Sequence, residues 1–67
     1  MKSMKTYPSV LRTQYVYALL ARKDLAEAAK IKEKFEQCAK TYPYTSEIQS
    51  ERELIEIAEQ EAAARQV

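Results

Sequence analysis

The chain has 67 residues, of which 46% are hydrophobic and 31% charged, and its formal net charge is +1. It contains no His and no Gly, and only one Cys. This composition excludes an internal disulfide, a Gly-rich phosphate loop and any site that depends on a histidine base or ligand.

Length and apolar patterning limit the number of domains and the possible cellular locations of the chain. A chain this short forms one domain or part of one. Its longest apolar run, residues 15–21, is far shorter than the roughly 20 residues that span a membrane. The lone Cys38 suits a reducing compartment, so we expect a cytoplasmic location. Residues 1–8 are interpreted as an N-terminal extension or a cloning remnant, and residues 9–67 as a single helical domain.

The first predicted helix covers about residues 9–22. Ser9 follows Pro8 and is the expected N-cap, because its hydroxyl can accept from an amide of the first turn. Apolar side chains occupy more than half of the helix circumference, and such a helix normally contacts two neighbours. We therefore expect it to lie between the other two helices. Its stripe and flanking positions are Leu11, Tyr15, Val16, Ala18, Leu19, Leu20 and Arg22.

The second predicted helix covers about residues 24–41. Asp24 and Glu27 form a capping-box pattern at its start. The short turn before it makes the two helices antiparallel neighbours. Glu36 and Lys40 lie four residues apart in the order that favours attraction between them, worth a few tenths of a kcal/mol. The buried stripe is predicted to comprise Leu25, Ala28, Ile31 or Lys32, Phe35, Cys38 or Ala39, and Tyr42.

The third predicted helix covers about residues 46–65, after the break at Pro43. Ser46 and Gln49 form a second capping-box pattern. Ser50 and Arg52 interrupt the apolar stripe, so this helix is expected to be half-buried at the edge of the fold. The apolar positions are Ile48, Ile55, Ala58 and Ala62, with Leu54 and Ile57 beside them. The prediction is thus an all-α, antiparallel three-helix module.

Charge is distributed unevenly along the chain. Residues 1–40 carry nine Lys/Arg and four Asp/Glu, whereas residues 41–67 carry two Arg and six Glu. We expect the basic hairpin to pack against the acidic third helix. A basic face for nucleic acid is the alternative. Glu27, Glu33 and Glu36 argue against it, because they alternate with the lysines that would contact phosphates.

The segment Lys5-Thr6-Tyr7-Pro8 recurs as Lys40-Thr41-Tyr42-Pro43, thirty-five positions later. This period, with a helix pair inside it, is typical of helical repeats. Together with the opening Asp24-Leu25-Ala26-Glu27-Ala28, Phe35 and the closing Pro43, the hairpin resembles a tetratricopeptide repeat over about residues 9–45. Lys23 stands where that family usually has Gly. The third helix would be a C-terminal capping helix or the start of a further repeat.

The resemblance implies a function in protein binding. The family binds peptides on the concave face of its first helices, which corresponds here to Val10, Thr13, Tyr17 and Leu20. We therefore expect a protein–protein interaction or scaffolding module without catalytic activity or a cofactor. Its partner would be a protein, a peptide or a second copy, and self-association would use the apolar surface of the first helix or the stripe of the third.

Two other functional classes remain open. One is a soluble C-terminal appendage of a larger protein, with or without a membrane anchor. The other is a small nucleic-acid-binding regulatory domain. An enzyme is the class that the residues favour least, because Cys38 has no base beside it and lies at core spacing from Phe35 and Tyr42. Tyr15 and Tyr42 are expected to be structural, whereas Tyr17 fits a structural or an interface role equally well.

Overall fold

The computed structural model describes residues 7–65, and over that range the chain is helical except at its turns. Helix α1 spans Pro8–Val16 and continues as a π-helical segment, Tyr17–Ala21. Helix α2 spans Leu25–Thr41, and helix α3 spans Thr45–Arg65. The predicted all-α three-helix architecture is confirmed. Residues 1–6 of the expected N-terminal extension lie outside the described residues.

Helix α1 begins one residue earlier than expected. Tyr7 is the N-cap, with an extended backbone, and its carbonyl accepts from the amides of Val10 at 3.0 Å and Leu11 at 3.2 Å. Pro8 takes the first helical position, where its fixed φ suits the helix and its missing amide costs nothing. The prediction of Ser9 as N-cap was therefore wrong, since Ser9 is already inside the helix.

The π-helical segment changes which side chains face the core. The Arg22 amide donates to the Tyr17 carbonyl at 3.0 Å, a bond that spans five residues instead of four. A wider turn carries more residues, so Arg22 does not return to the face that carries Tyr15. Arg22 is exposed, against the stripe predicted for an α-helix, whereas Ala18 stays buried.

A tight turn joins the π-helical segment to α2. Lys23 adopts a left-handed backbone with φ 56°, and the Asp24 amide donates to the Ala18 carbonyl at 3.0 Å. The Asp24 carboxylate accepts from the Glu27 amide at 3.0 Å, which confirms Asp24 as the N-cap. The reciprocal half of the expected capping box is not formed, because the Asp24 amide is already used by Ala18.

Helix α3 also begins before its predicted cap. The Tyr44 carbonyl accepts from the amides of Glu47 at 3.1 Å and Ile48 at 3.2 Å. Ser46 consequently lies in the first turn, and its prediction as N-cap was wrong. Glu47 lies in the same turn, where a negative charge is favoured by the helix dipole.

The core lies where α1 meets both neighbours. Phe35 of α2 has no exposed surface. Ala18 and Ala28 are 1% and 2% exposed, and their small side chains let the first two helices approach closely. As predicted, α1 with its π-helical continuation packs against both α2 and α3. The buried cluster comprises Leu11, Tyr15, Ala18, Ala28, Ile31, Phe35 and Ile55.

Some apolar positions predicted for the core lie at its edge. Leu25 is 56% exposed, because it stands at the first turn of α2, beside an open depression that Ala62 and Arg65 of α3 also line. Cys38 is half-buried and packs against the cluster, consistent with its expected role as a core residue. The described residues measure 44 × 27 × 14 Å along their principal axes, so the fold is flat. A flat fold leaves much of its surface outside the core.

We predict that Lys23→Gly raises the free energy of unfolding by about 1 kcal/mol, because glycine adopts the left-handed backbone without the penalty that lysine carries. Lys30→Gly is the matched control, at an exposed position inside α2. It should lower stability by about 1 kcal/mol. Urea unfolding followed by circular dichroism measures both. Equal destabilisation by the two variants would contradict the left-handed backbone at Lys23.

Candidate functional site

Ion pairs attach the acidic α3 to the basic hairpin. Arg12 Nε of α1 lies 2.7 Å from Glu51 Oε1 of α3. Arg52 of α3 donates to both carboxylate oxygens of Glu36 of α2, at 2.7 and 2.9 Å. These contacts confirm the expected packing of the two charged halves. Lys40 attracts Glu36 electrostatically, as its position four residues further along α2 predicts. The hydrogen bonds of Glu36 are made with Arg52, because its fixed fork offers two parallel bonds.

One carboxylate joins all three helices. Glu59 Oε2 of α3 accepts from the Tyr15 hydroxyl of α1 at 2.8 Å and from Lys32 Nζ of α2 at 2.7 Å. Lys32 Nζ also lies 5.9 Å from the centre of the Tyr15 ring, within cation–π range. The three side chains therefore satisfy one another, and the group acts as a structural tie.

Burial and hydrogen bonding in this three-residue cluster shift the pKa values of Tyr15 and Glu59. Burial, followed by the hydrogen bond to Glu59, raises the pKa of Tyr15 to about 12. The hydrogen bond from Lys32, with a further one from Tyr15, holds the pKa of Glu59 below its ordinary value. Both shifts keep Tyr15 neutral and Glu59 ionised near neutral pH, which is the state that the hydrogen bonds require.

Arg52 covers the core from the α3 side. Its guanidinium carbon lies 5.6 Å from the centre of the Phe35 ring, while its nitrogens bind Glu36. The hydrogen bond from Arg52 lowers the pKa of Glu36 and raises that of Arg52. Arg52 interrupts the apolar stripe of α3 in the sequence, and the structure shows the reason: the side chain shields an aromatic ring and pairs with a neighbouring helix.

Three tyrosines gather at the end of the module where α1 begins and α2 ends. The Tyr42 and Tyr44 rings meet edge to face, with centroids 5.5 Å apart. The Tyr42 hydroxyl donates to Glu47 Oε1 at 2.9 Å, and this bond is the main cause of the raised pKa of Tyr42. Tyr7 adds a smaller contribution, so it lies nearby. Tyr7 and Tyr44 are 49% and 60% exposed.

The meeting of these tyrosines explains how the repeated segment is used in the fold. Tyr7 and Tyr42 are equivalent residues of the two Lys-Thr-Tyr-Pro copies. Because α1 and α2 are antiparallel, and Tyr7 caps the start of α1 while Tyr42 caps the end of α2, the two tyrosines come together in space. The repeat is the sequence signal for this aromatic surface, although Tyr42 was predicted only as a structural residue.

The structure separates the four residues predicted to bind a partner. Thr13 and Tyr17 line a groove of about 480 Å³ between the first two helices. Leu20 lines a different depression, and Val10 lines neither. Tyr17 is 60% exposed, which favours the interface role over the structural one. The π-helical segment turns Leu20 away from Tyr17, so the surface expected from regular helical spacing is divided.

A second depression, which we name the leucine hollow, was not predicted. It has a volume of about 150 Å³ and lies where the π-helical segment ends, α2 begins and α3 ends. Its lining comes from three separate parts of the chain, and sequence spacing cannot bring these together. The lining residues are Leu19, Leu20, Lys23, Leu25, Ala62 and Arg65.

The solvent side of α3 carries a short apolar strip, which we name the outer stripe and define as Glu53, Leu54 and Ile57. Leu54 and Ile57 are three positions apart on the helix and are 43% and 59% exposed. Across residues 7–65, Glu53 makes neither a hydrogen bond nor an ion pair. The stripe therefore combines exposed apolar groups with uncompensated negative charge.

The described residues were also compared with the requirements of a membrane-spanning helix and of a metal site. Among residues 7–65, no helix is long and apolar enough to cross a bilayer. The same part of the chain holds no group of three or more His, Cys, Asp or Glu side chains placed to bind a metal ion.

Comparisons with protein-family models, curated proteins and solved structures found no significant match. The tetratricopeptide-like interpretation therefore depends only on the residues of this chain. The function has to be argued from its surfaces.

We predict that Tyr15 makes stability fall at high pH. A folded-state pKa of about 12, above the ordinary 10.0, means that the contribution of Tyr15 is complete below pH 10 and is lost as pH rises through 12. Unfolding free energies measured from about pH 9 to about pH 12 should decline more steeply for the wild type than for Tyr15→Phe. Tyr17→Phe, at a tyrosine that is 60% exposed and makes no side-chain hydrogen bond within residues 7–65, is the control. Parallel profiles for wild type and Tyr15→Phe would contradict the prediction.

Proposed function

We propose that this chain is a non-catalytic protein-interaction or scaffolding module. The observation that carries the proposal is the distribution of its large apolar side chains. Six of the buried core residues are larger than alanine, and seven other large hydrophobic residues are exposed. The exposed residues are Tyr7, Val10, Tyr17, Leu25, Tyr44, Leu54 and Ile57.

Exposed apolar groups in such proportion favour binding to another protein. Single exposed hydrophobic residues are ordinary on a protein surface, but grouped ones mark interaction sites. Here they are grouped, with tyrosines at one end of the module, leucines at the other and a stripe on α3. Tyrosine is also enriched at protein interfaces, because its ring buries a large area and its hydroxyl still forms a hydrogen bond.

The rigid attachment of these groups supports the same proposal. Tyr17 lies in the π-helical segment, and such segments often occur at functional sites. The bond from the Asp24 amide to the Ala18 carbonyl closes that segment at its far end. A backbone held in this way loses little conformational freedom when a partner binds to it. The groove lined by Thr13 and Tyr17 is therefore the part of the predicted surface that we retain for a protein or peptide partner.

The relationship to tetratricopeptide repeats is also retained as a proposal. The antiparallel helix pair and the Asp24 cap support it. A further support is the left-handed backbone of Lys23, at the position where that family usually has glycine. Glycine is the residue best suited to such a backbone. The backbone at position 23 therefore has the left-handed conformation for which the family's glycine is suited.

Photo-crosslinking tests this proposal. A benzophenone amino acid is placed at Tyr17 of the chain expressed in its own host, and at Gln37 as a control on the exposed polar side of α2. We expect a discrete protein adduct from position 17 and none from position 37. The captured protein should bind the purified wild type and should bind Tyr17→Ser at least about tenfold more weakly, as expected for an aromatic interface anchor.

Two outcomes would contradict the proposed function. One is the absence of a position-specific adduct from Tyr17 and from the other exposed apolar positions. The other is capture of a protein that binds wild type and Tyr17→Ser equally well. Circular dichroism of both proteins ensures that any loss of binding does not reflect loss of the helical fold.

A further inference from the structure

The groove that Thr13 and Tyr17 line, which we name the hairpin groove, runs between two antiparallel helices, so its lining follows the order of the chain. Arg22 and Glu27 lie at the end nearest the turn, because they stand just before α2 and in its first turn. Tyr17 and the buried Ile31 face each other in the middle. The groove therefore has a charged end and an apolar centre.

The far end of the groove is positively charged. Lys34 lies there beside Thr13 and Gln14, three residues beyond Ile31 and so about 4.5 Å further along the axis of α2. Within residues 7–65, Lys34 forms no ion pair and the Gln14 side chain makes no hydrogen bond. No carboxylate lines this end, since Glu27 is two turns away.

Hydrogen-bond donors outnumber acceptors along the whole groove. Gln14, Tyr17, Arg22 and Lys34 all line it, and among the described residues none of these four side chains donates to a partner. The single carboxylate in the lining is that of Glu27. Covering donors without pairing them costs free energy, so a ligand that fits must carry an excess of acceptor oxygens.

The positive charge of the groove is not needed to hold the fold together. The basic side chains that point to α3 are paired there, Arg12 with Glu51 and Lys32 with Glu59. Lys30 and Lys34, by contrast, are exposed, unpaired within residues 7–65 and four positions apart on α2. Like charges at this spacing repel each other, and a bound carboxylate would relieve the repulsion.

The centre of the groove distinguishes a peptide from a nucleic acid. The Tyr17 ring is 60% exposed and lies across from Ile31, which offers an apolar side chain a place to pack. A continuous phosphate backbone along the groove would have to pass Glu27, which repels it. The lining matches a ligand with one apolar group and one localised negative charge.

We propose that the hairpin groove binds a segment of a partner protein in which an apolar side chain is followed or preceded, within about one helical turn, by Asp or Glu. This inference rests on the proposed function, because it names the chemical class of the partner. The apolar side chain packs between Tyr17 and Ile31, and the carboxylate pairs with Lys34. Apolar burial supplies the affinity, while Lys34 at one end and Glu27 at the other set the direction of the segment.

Selection from random peptides displayed on phage tests the proposal without choosing the partner in advance. The purified wild type is the target, and phage that also bind Tyr17→Ser are discarded. We expect the enriched peptides to share an apolar residue with Asp or Glu three or four positions away. The Kd of each synthesised peptide is then measured by fluorescence anisotropy.

Two charge reversals on α2 locate the carboxylate. Lys34→Glu should raise the Kd of the selected peptides at least about tenfold, because it places like charges together. Lys40→Glu is the matched control, with the same charge change at another exposed position of α2, and should alter the Kd less than about twofold. A peptide whose acidic residue is replaced by Lys should regain affinity for Lys34→Glu. Circular dichroism must show that both variants keep their helical content.

Four results would overturn the inference. They are a selection that enriches no peptide, enriched peptides that lack the acidic residue, equal effects of Lys34→Glu and Lys40→Glu, and displacement of the peptides by an oligonucleotide. Self-association that disappears in Lys34→Glu would also overturn it, since a second copy would then occupy the groove.

The proposed function can be judged separately. Crosslinking at Tyr17 requires a protein adduct of any chemistry and does not involve Lys34. An adduct protein that binds wild type and Lys34→Glu equally well, but binds Tyr17→Ser weakly, would support the interaction module and reject the acidic partner.

Discussion

Burial of the Phe35 ring is the constraint on which the rest of the structure depends. Phe35 lies on α2, but its burial requires α1, which contributes Leu11 and Tyr15 to the same cluster, and α3, which contributes Ile55. The flat face of Arg52 closes the remaining side at 5.6 Å. Because Ala18 and Ala28 are small, the helices approach closely enough to exclude water from the ring.

The small size of this core also determines which side chains stay exposed on the surface. Three helices arranged as a flat layer bury few large side chains, and the others stay in contact with solvent. The ion pairs around the core then decide which charges are compensated. Glu51 and Glu59 are used to attach α3, whereas Glu53 is left without an ion pair among the described residues. The surfaces proposed for binding are therefore a consequence of how the fold is stabilised.

Local sequence signals predicted much of the fold and part of the site. Apolar spacing identified three helices, and Asp24 marked the start of α2 correctly because its cap involves residues only three positions apart. Tyr17 and Thr13 were both candidates for binding a partner, and they line one groove. Leu20 was separated from them by the π-helical segment, which regular spacing does not anticipate. Val10 is exposed beyond both depressions.

The sequence by itself determined the helical class, the antiparallel hairpin and the division into basic and acidic halves. These depend on periodicity, on short-range caps and on composition, all of which act between near neighbours in the chain. Only the tertiary structure decided that Glu36 binds Arg52, that Glu59 joins all three helices, and that Leu25 borders an open hollow. Those outcomes depend on which helix faces are brought together, and burial of a shared core sets them across long sequence separations.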